Sequence, residues 1–184
     1  MPTTLGVIAD THIPDRARRL PQAVLEVFDK HRVESILHAG DLSTPRVLRQ
    51  LGEIAPVLGV RGNTDLLLTG RLPWVRRMTY EDVVIGMAHG HGGWLRYIPD
   101  RFDFLLHGPK KFSYYEDNAR KLLPDVQVVV CGHTHVSANY WRGEQLIFNP
   151  GSATRPNGVV RGLLPSVGLL HVDGGNVRGE IVFI

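Results

Sequence analysis

Sulfur is scarce in this sequence, and long apolar runs are missing. Cys131 is the only cysteine among 184 residues, so no intramolecular disulfide can form, and the chain suits a reducing, cytoplasmic setting. No stretch reaches the ~18 apolar residues of a membrane-spanning helix. The opening residues, MPTTLGVIAD, carry no basic segment ahead of an apolar one and read as a strand rather than a secretory signal. Charge of one sign is also in short supply. Lys and Arg number 21 against 18 Asp and Glu, and a net +3 does not indicate a nucleic-acid binder. With 43% hydrophobic residues the chain is not intrinsically disordered. It lacks repeats, low-complexity tracts and linkers, so residues 1–184 are expected to form a single domain. What the chain does have in quantity is glycine, 20 residues, and histidine, 9 residues.

The pattern alternates strands with helices. Leu5–Ala9 and Glu34–His38 are short apolar strands, and Pro56–Val60 is a third. Between them, Val24, Leu25, Val27 and Phe28 mark a helix over Pro21–His31, and a second helix runs from about Pro45 to Ile54, capped by Ser43 or Thr44. This β-α-β-α-β order implies a parallel sheet. Later, Met78–Tyr80 and Val83–Ala88 read as a hairpin about Glu81 and Asp82. Ser113 and Glu116 suggest a capping box opening a helix that runs to about Leu123. Strands follow at Val126–Val130, Val136–Trp141, Gln145–Phe148, Ser166–Val172 and Val177–Ile184, the last two joined by the turn Asp173-Gly174-Gly175-Asn176. The Gly-, Pro- and aromatic-rich stretch from Gly92 to Lys111 fits no element. The expected fold is α/β: two packed sheets with helices outside, parallel early and antiparallel late.

Polar residues collect where strands end. Five predicted strands are followed by Asp10-Thr11-His12, Gly40-Asp41, Gly62-Asn63-Thr64-Asp65, His89-Gly90-His91 and Gly132-His133-Thr134-His135. In α/β sheets the carboxyl ends of parallel strands share an edge where ligands bind, so these loops converge. Asp10, His12, Asp41, Asn63, His89, His133 and His135 offer oxygen or imidazole donors suited to divalent transition metals. Seven donors exceed one tetrahedral site and match two cations, for which a carboxylate bridge, best supplied by Asp41, is needed. Such a pair activates a shared water for phosphate-ester hydrolysis. Taken singly, Gly-Asp and Gly-Asn are ordinary turns, and Asp-x-His is common; the ordered set is the signal.

That set resembles the calcineurin-like metallophosphoesterase superfamily, and Asn149-Pro150-Gly151-Ser152 further resembles its small YfcE-type phosphodiesterases. The resemblance implies a two-sheet β-sandwich flanked by α-helices. It implies one metal on Asp10, His12, Asp41 and His135, and another on Asp41, Asn63, His89 and His133. A hydroxide between the metals would attack phosphorus in line. Asn63, His12 and His91 would act as catalytic residues stabilising the phosphate oxygens, with Asn63 and His91 binding substrate. Mn²⁺ is the expected metal, with Zn²⁺, Fe²⁺ or Ni²⁺ as alternatives. One departure stands out: many superfamily members place His where this chain has Thr64, and that His works with the next acid as proton donor. His91 is the obvious stand-in, and the loss favours good leaving groups, hence diesters.

Other residues carry less. His107 also precedes glycine and competes with His89, but the run before His89 is the more strand-like. His38 is either a packed core histidine or an orienting partner of a ligand. Ser152 either positions a ligand or phosphate or shapes a loop. Cys131 reads as buried packing. Arg16, Arg18, Arg19, Arg76, Arg77, Lys110 and Lys111 either steer an anion or form a solvated face. The aromatics Trp94, Tyr97, Phe102, Phe104, Phe112, Tyr114 and Tyr115 suit a lid, a nucleobase platform or a subunit contact in a homo-oligomer. The expected partner is a small phosphate ester, a nucleotide included. Two rival functions are a nuclease or cyclic-nucleotide phosphodiesterase, and a metal-bound interaction scaffold like the superfamily's retromer subunit.

Overall fold

The computed structural model describes residues 2–65, 72–92, 98, 99, 102, 103, 106, 108, 110–156, 160 and 162–184. In chain order the elements are β1 (Thr3–Ile8), α1 (Gln22–Lys30), β2 (Ser35–His38), α2 (Pro45–Leu51), β3 (Val57–Gly59), β4 (Val75–Tyr80), β5 (Val83–Ala88), α3 (Phe112–Leu122), β6 (Val128–Val130), β7 (Ser137–Arg142), β8 (Gln145–Pro150), β9 (Ser166–Asp173) and β10 (Asn176–Phe183). One sheet has the order β10-β9-β1-β2-β3 and the other β4-β5-β6-β8-β7. Strands β1, β2 and β3 run parallel, as the early pattern predicts.

The inner strands β1, β2, β5, β6 and β8 are buried on both faces, which is why they read as apolar runs rather than alternations. Residues of one parity fill the space between the sheets: Leu5, Val7 and Leu37 meet Ile85, Met87, Val128, Val130 and Phe148 there. Those of the other parity face helices. Ile8 and Ile36 pack with Val24 and Phe28 of α1 and with Val47 and Leu51 of α2. Val129 and Ile147 pack with Ala119 of α3 and with Leu123 just beyond it. Thr44 caps α2, its hydroxyl accepting from the Arg46 N–H at 3.4 Å. Among the described residues no helix is long and apolar enough to cross a membrane.

Two expectations need correction. The later half is not simply antiparallel: β5, β6 and β8 run parallel, with antiparallel β4 and β7 at the edges. Helix α3 supplies the crossover from β5 to β6, and the β7–β8 hairpin returns β8 beside β6, so both sheets are mixed. The capping box also fails. Helix α3 starts two residues earlier, with Lys111 rather than Ser113 at the N-cap and no side-chain cap, which puts Ser113 inside the first turn. Glu116 is buried and accepts a hydrogen bond from the Tyr140 hydroxyl at 2.6 Å, so its carboxylate ties α3 to β7.

Candidate metal centre

The parallel strands of both sheets deliver their loops to one edge. Asp10 and His12 follow β1, Asp41 follows β2, Asn63 follows β3, His89 and His91 follow β5, and His133 and His135 follow β6. Main-chain bonds lace these loops together. Asp10 N–H donates to the Gly40 carbonyl and His12 N–H to the Asp41 carbonyl, both at 3.0 Å, and Gly132 N–H reaches the His89 carbonyl at 3.2 Å. Asp10, His12, Asp41, His133 and His135 all sit at φ between 44° and 71°. Left-handed backbone is uncommon without glycine, and such residues stay there only when their surroundings hold them.

The holding groups are identifiable, and the motif reading weighs a supporting role for two of them, His38 and Ser152. Asp65 is buried, and its carboxylate accepts four main-chain N–H bonds. They come from Leu42 and Ser43 at 2.8 Å on one oxygen, and from Asp41 at 2.9 Å and Gly62 at 2.7 Å on the other. It fixes the Asp41 loop. Asn149 donates to the Gly132 carbonyl and the Thr134 hydroxyl, both at 3.1 Å, which shapes the His133 loop from β8. Ser152 donates to the Asp10 carbonyl at 2.8 Å, so its role is to hold the loop that carries a candidate ligand. His38 is fully buried: Gly40 N–H donates to its Nδ1, which leaves Nε2–H to donate to the Thr11 hydroxyl, both at 3.2 Å. Thr11 in turn reaches the Asp41 carbonyl, so His38 is an orienting group as well as a packed one. The signals for Asp65 and Asn149 were present as the acid ending Gly62–Asp65 and the Asn opening Asn149–Ser152.

Close approach explains two glycines. At Gly40, φ is +96° and a Cβ would lie 2.7 Å from His89 Nδ1; at Gly62 a Cβ would overlap the Asp41 carboxylate.

The side chains form two groups, Asp10–His12–His135 and Asp41–His89–His133, whose donor atoms within each group lie within 4.8 Å of one another. Asp41 joins them, its Oδ2 lying 3.4 Å from both His12 Nε2 and His89 Nε2. Asn63 Oδ1 is 2.9 Å from His133 Nδ1 and 3.2 Å from His89 Nε2. Outer hydrogen bonds set two tautomers. His89 Nδ1–H donates to the Ala39 carbonyl at 2.7 Å and His135 Nδ1–H to the Arg155 carbonyl at 2.6 Å. In the neutral ring, each Nε2 is then a bare lone pair turned to the centre. His12 and His135 approach Nε2 to Nε2 at 3.1 Å, and His89 Nε2 is 3.3 Å from His133 Nδ1. In the metal-free protein His12 Nε2–H can donate to His135 Nε2 and His133 Nδ1–H to His89 Nε2; with those protons gone, the mixed imidazole, carboxylate and amide oxygen donors fit a divalent transition metal.

The electrostatics show the same demand for positive charge. Burial disfavours charge on His89, yet the Asp41 and Asp10 carboxylates raise its pKa to about 10. Burial works to raise the Asp41 carboxyl, but His89 and His12 hold it well below the usual carboxylate range. Burial raises Asp10 to about 6 against the pull of His135 and His89, and lowers His12 to about 4. It also takes His133 well below the ordinary range. Burial and the charge on His89 lower His91 to about 3, so this histidine is neutral at pH 7. The His91 ring lies 5.3 Å from that of His89 and 6.2 Å from that of His133.

A family model for the calcineurin-like phosphoesterase superfamily domain matches residues 4–175. The chain belongs to that superfamily. It is 36% identical over 178 residues to a probable metallophosphoesterase of Methanothermobacter thermautotrophicus, covering 97% of this chain and 91% of that one. A probable metallophosphoesterase of Methanocaldococcus jannaschii is 35% identical over 152 residues, 83% of this chain and 69% of its own. Among solved structures, Vps29 of Entamoeba histolytica complexed with Zn²⁺ superposes with a TM-score of 0.72 at 25% identity, covering 98% and 99% of the two chains. As a superfamily member with two metal-ready donor groups, the protein is a metal-dependent phosphoesterase, and its two-sheet sandwich with flanking helices is the fold of these relatives.

The remaining expectations fall as follows. His107, Trp94, Tyr97 and Phe104 lie outside the described residues. Phe102 is exposed, whereas Tyr115 brings its ring within 4.5 Å of the His133 ring and stacks edge-on with Tyr114. Cys131 is buried, which pushes its thiol pKa up. Arg77 is bound to Asp125 at 2.9 Å rather than turned to the centre.

Proposed function

We propose that the protein is a binuclear phosphodiesterase acting on a small phosphate ester in the cytoplasm. Asp10, His12, Asp41 and His135 hold one divalent cation and Asp41, Asn63, His89 and His133 the other, Asp41 being shared. The observation that carries this reading is the placement of Asp41 Oδ2 at 3.4 Å from an imidazole nitrogen of each group. Two bound cations would lower the pKa of a shared water and neutralise charge on the oxygens of an in-line displacement. Mn²⁺ suits the mixed donor set, as do Zn²⁺, Fe²⁺ and Ni²⁺. Around them, the Asn63 amide, His12 and the neutral His91 ring bind and orient the phosphate oxygens. The preference for diesters rests on what could protonate a leaving group. Thr64 and Ser43 offer only hydroxyls, bonded to each other at 3.3 Å, where a poor leaving group would need a stronger acid. Esters with good leaving groups are therefore favoured.

The test is hydrolysis of bis-p-nitrophenyl phosphate with and without Mn²⁺. Turnover is expected only with metal, and Asp41→Asn and His133→Ala should abolish it. Metal-independent turnover, or full activity in either variant, would overturn the reading. A panel of cyclic dinucleotides, 2′,3′-cyclic nucleotides and phosphodiester headgroups separates the nuclease-like alternatives. The likeness to Vps29 at a TM-score of 0.72 supports a second reading, a metal-bound interaction scaffold, which predicts metal binding without turnover of any ester.

A further inference from the structure

Arg61 is held differently from the ion-paired arginines of this fold. Arg77, Arg142 and Arg178 are tied to Asp125, Asp117 and Glu180. Arg61 is half-buried, and among the described residues its guanidinium has no carboxylate or hydrogen-bond partner; it lies over the Trp74 ring, Cζ 4.4 Å from the centroid. Stacking on an indole positions a guanidinium while leaving its fork of N–H donors available, the arrangement in which arginine takes oxyanions bidentately. Its place is also set from the main chain. Arg61 N–H donates to the Pro73 carbonyl at 2.9 Å, which docks the loop carrying Asn63 against the segment carrying Trp74. The Trp74 ring is 5.3 Å from that of His91, which is in turn 5.3 Å from that of His89. The guanidinium charge reaches His91, adding to burial and His89 in lowering its pKa. Arg61 thus stands two rings, Trp74 and His91, beyond the donor groups, on their His89–His133 side.

Among the described residues this half-buried cation, oriented and one ring from His91, has no anionic partner. The oxygens of the reacting phosphate have Asn63, His12 and His91. We infer that Arg61, seated on Trp74, determines specificity by binding a second oxyanion, a phosphate or carboxylate, on the group esterified to the reacting phosphate. This rests on the phosphoesterase reading above and deepens it: the substrate is an ester with at least one further negative charge.

Three probes test it on the Mn²⁺-loaded protein: propylphosphonate, 3-phosphonopropionate and propane-1,3-bisphosphonate. Affinity is read by calorimetry, and Trp74 emission is followed in a Trp94→Phe/Trp141→Phe background, where it is the only one of the 3 tryptophans left. At least one probe with a second anion should bind about tenfold more tightly than propylphosphonate and shift Trp74 emission. The one that gains more names the oxyanion. Arg61→Gln should remove the advantage and leave propylphosphonate affinity and melting temperature unchanged, and Arg61→Lys should restore part of it. Equal wild-type affinities for the three probes would overturn the inference. So would an Arg61→Gln variant weakened equally towards all three, which would put Arg61 on the reacting phosphate. If propylphosphonate itself does not bind, the phosphoesterase reading falls and takes this inference with it; if it binds and a second anion adds nothing, only this inference falls.

Discussion

Replacing Asp65 by Asn should damage the centre without touching any candidate ligand. The change is isosteric, so its effect comes from hydrogen bonding. Each carboxylate oxygen accepts two main-chain N–H groups, Leu42 and Ser43 on Oδ1, Asp41 and Gly62 on Oδ2. Whichever way the Asn amide is turned, its NH₂ faces two donors, and two of the four bonds are lost. At about 1.5–3 kcal/mol for a bond to a charged group, the loss is about 3–6 kcal/mol. For a chain of this length that corresponds to a fall in melting temperature of about 6–24 °C. The Asp41 loop, no longer held at φ 58° for Asp41 and 66° for Ser43, relaxes towards ordinary backbone. Mn²⁺ affinity should then drop by about 10–100-fold, the usual consequence of losing an outer partner of a metal ligand. Thermal unfolding in EDTA measures the first effect and calorimetric Mn²⁺ titration the second. A variant that melts like wild type, or melts lower yet binds Mn²⁺ with unchanged affinity, would refute the assignment of Asp65 as the clamp on the Asp41 loop.

Two further outcomes are expected. Gly40→Ala forces a side chain onto φ +96° with its Cβ 2.7 Å from His89 Nδ1, costing about 1–3 kcal/mol in strain and weakening Mn²⁺ binding. Gly143→Ala, at φ +62° with open space around it, should carry strain alone and leave Mn²⁺ binding intact; urea unfolding and calorimetry compare the two. The metal-free protein should lose stability as pH falls from about 6.5 to 4. His12, His38, His91 and His133 take up protons near pH 6.5 when unfolded; folded, the first three do so only near 4, 3 and 3, and His133 well below the ordinary range. In that window the unfolded chain therefore binds more protons, at about 1.4 kcal/mol per pH unit for each histidine. Asp10, raised to about 6, and Asp65, which burial also raises, protonate earlier in the fold and offset part of this. A urea midpoint in EDTA that is flat, or that rises between pH 6.5 and 4, would contradict this.

The strand-end loops were legible because the chemistry is local. A short apolar run followed by Asp, Asn or His beside glycine states both a parallel strand and what it delivers, and β1, β2, β3, β5 and β6 each do so. Ser113 and Glu116 misled for the opposite reason. A capping box is only a spacing, and burial of Glu116 against the Tyr140 hydroxyl outweighed it. Nor does anything local in Val128–Val130 or Gln145–Pro150 say that β8 returns beside β6 and parallel to it.

By itself the sequence determined which side chains could bind metal and at which strand ends they stand, since strand periodicity and donor chemistry are properties of neighbouring residues. Only the tertiary structure decided which donors meet and what holds them. Asp41 reaches His12 and His89, Asp65 gathers four N–H groups, Asn149 shapes the His133 loop, and Trp74 seats Arg61. These are contacts between segments far apart in the chain. They exist because two mixed sheets bury both faces of their inner strands and so bring the carboxyl ends of two parallel sets to one edge.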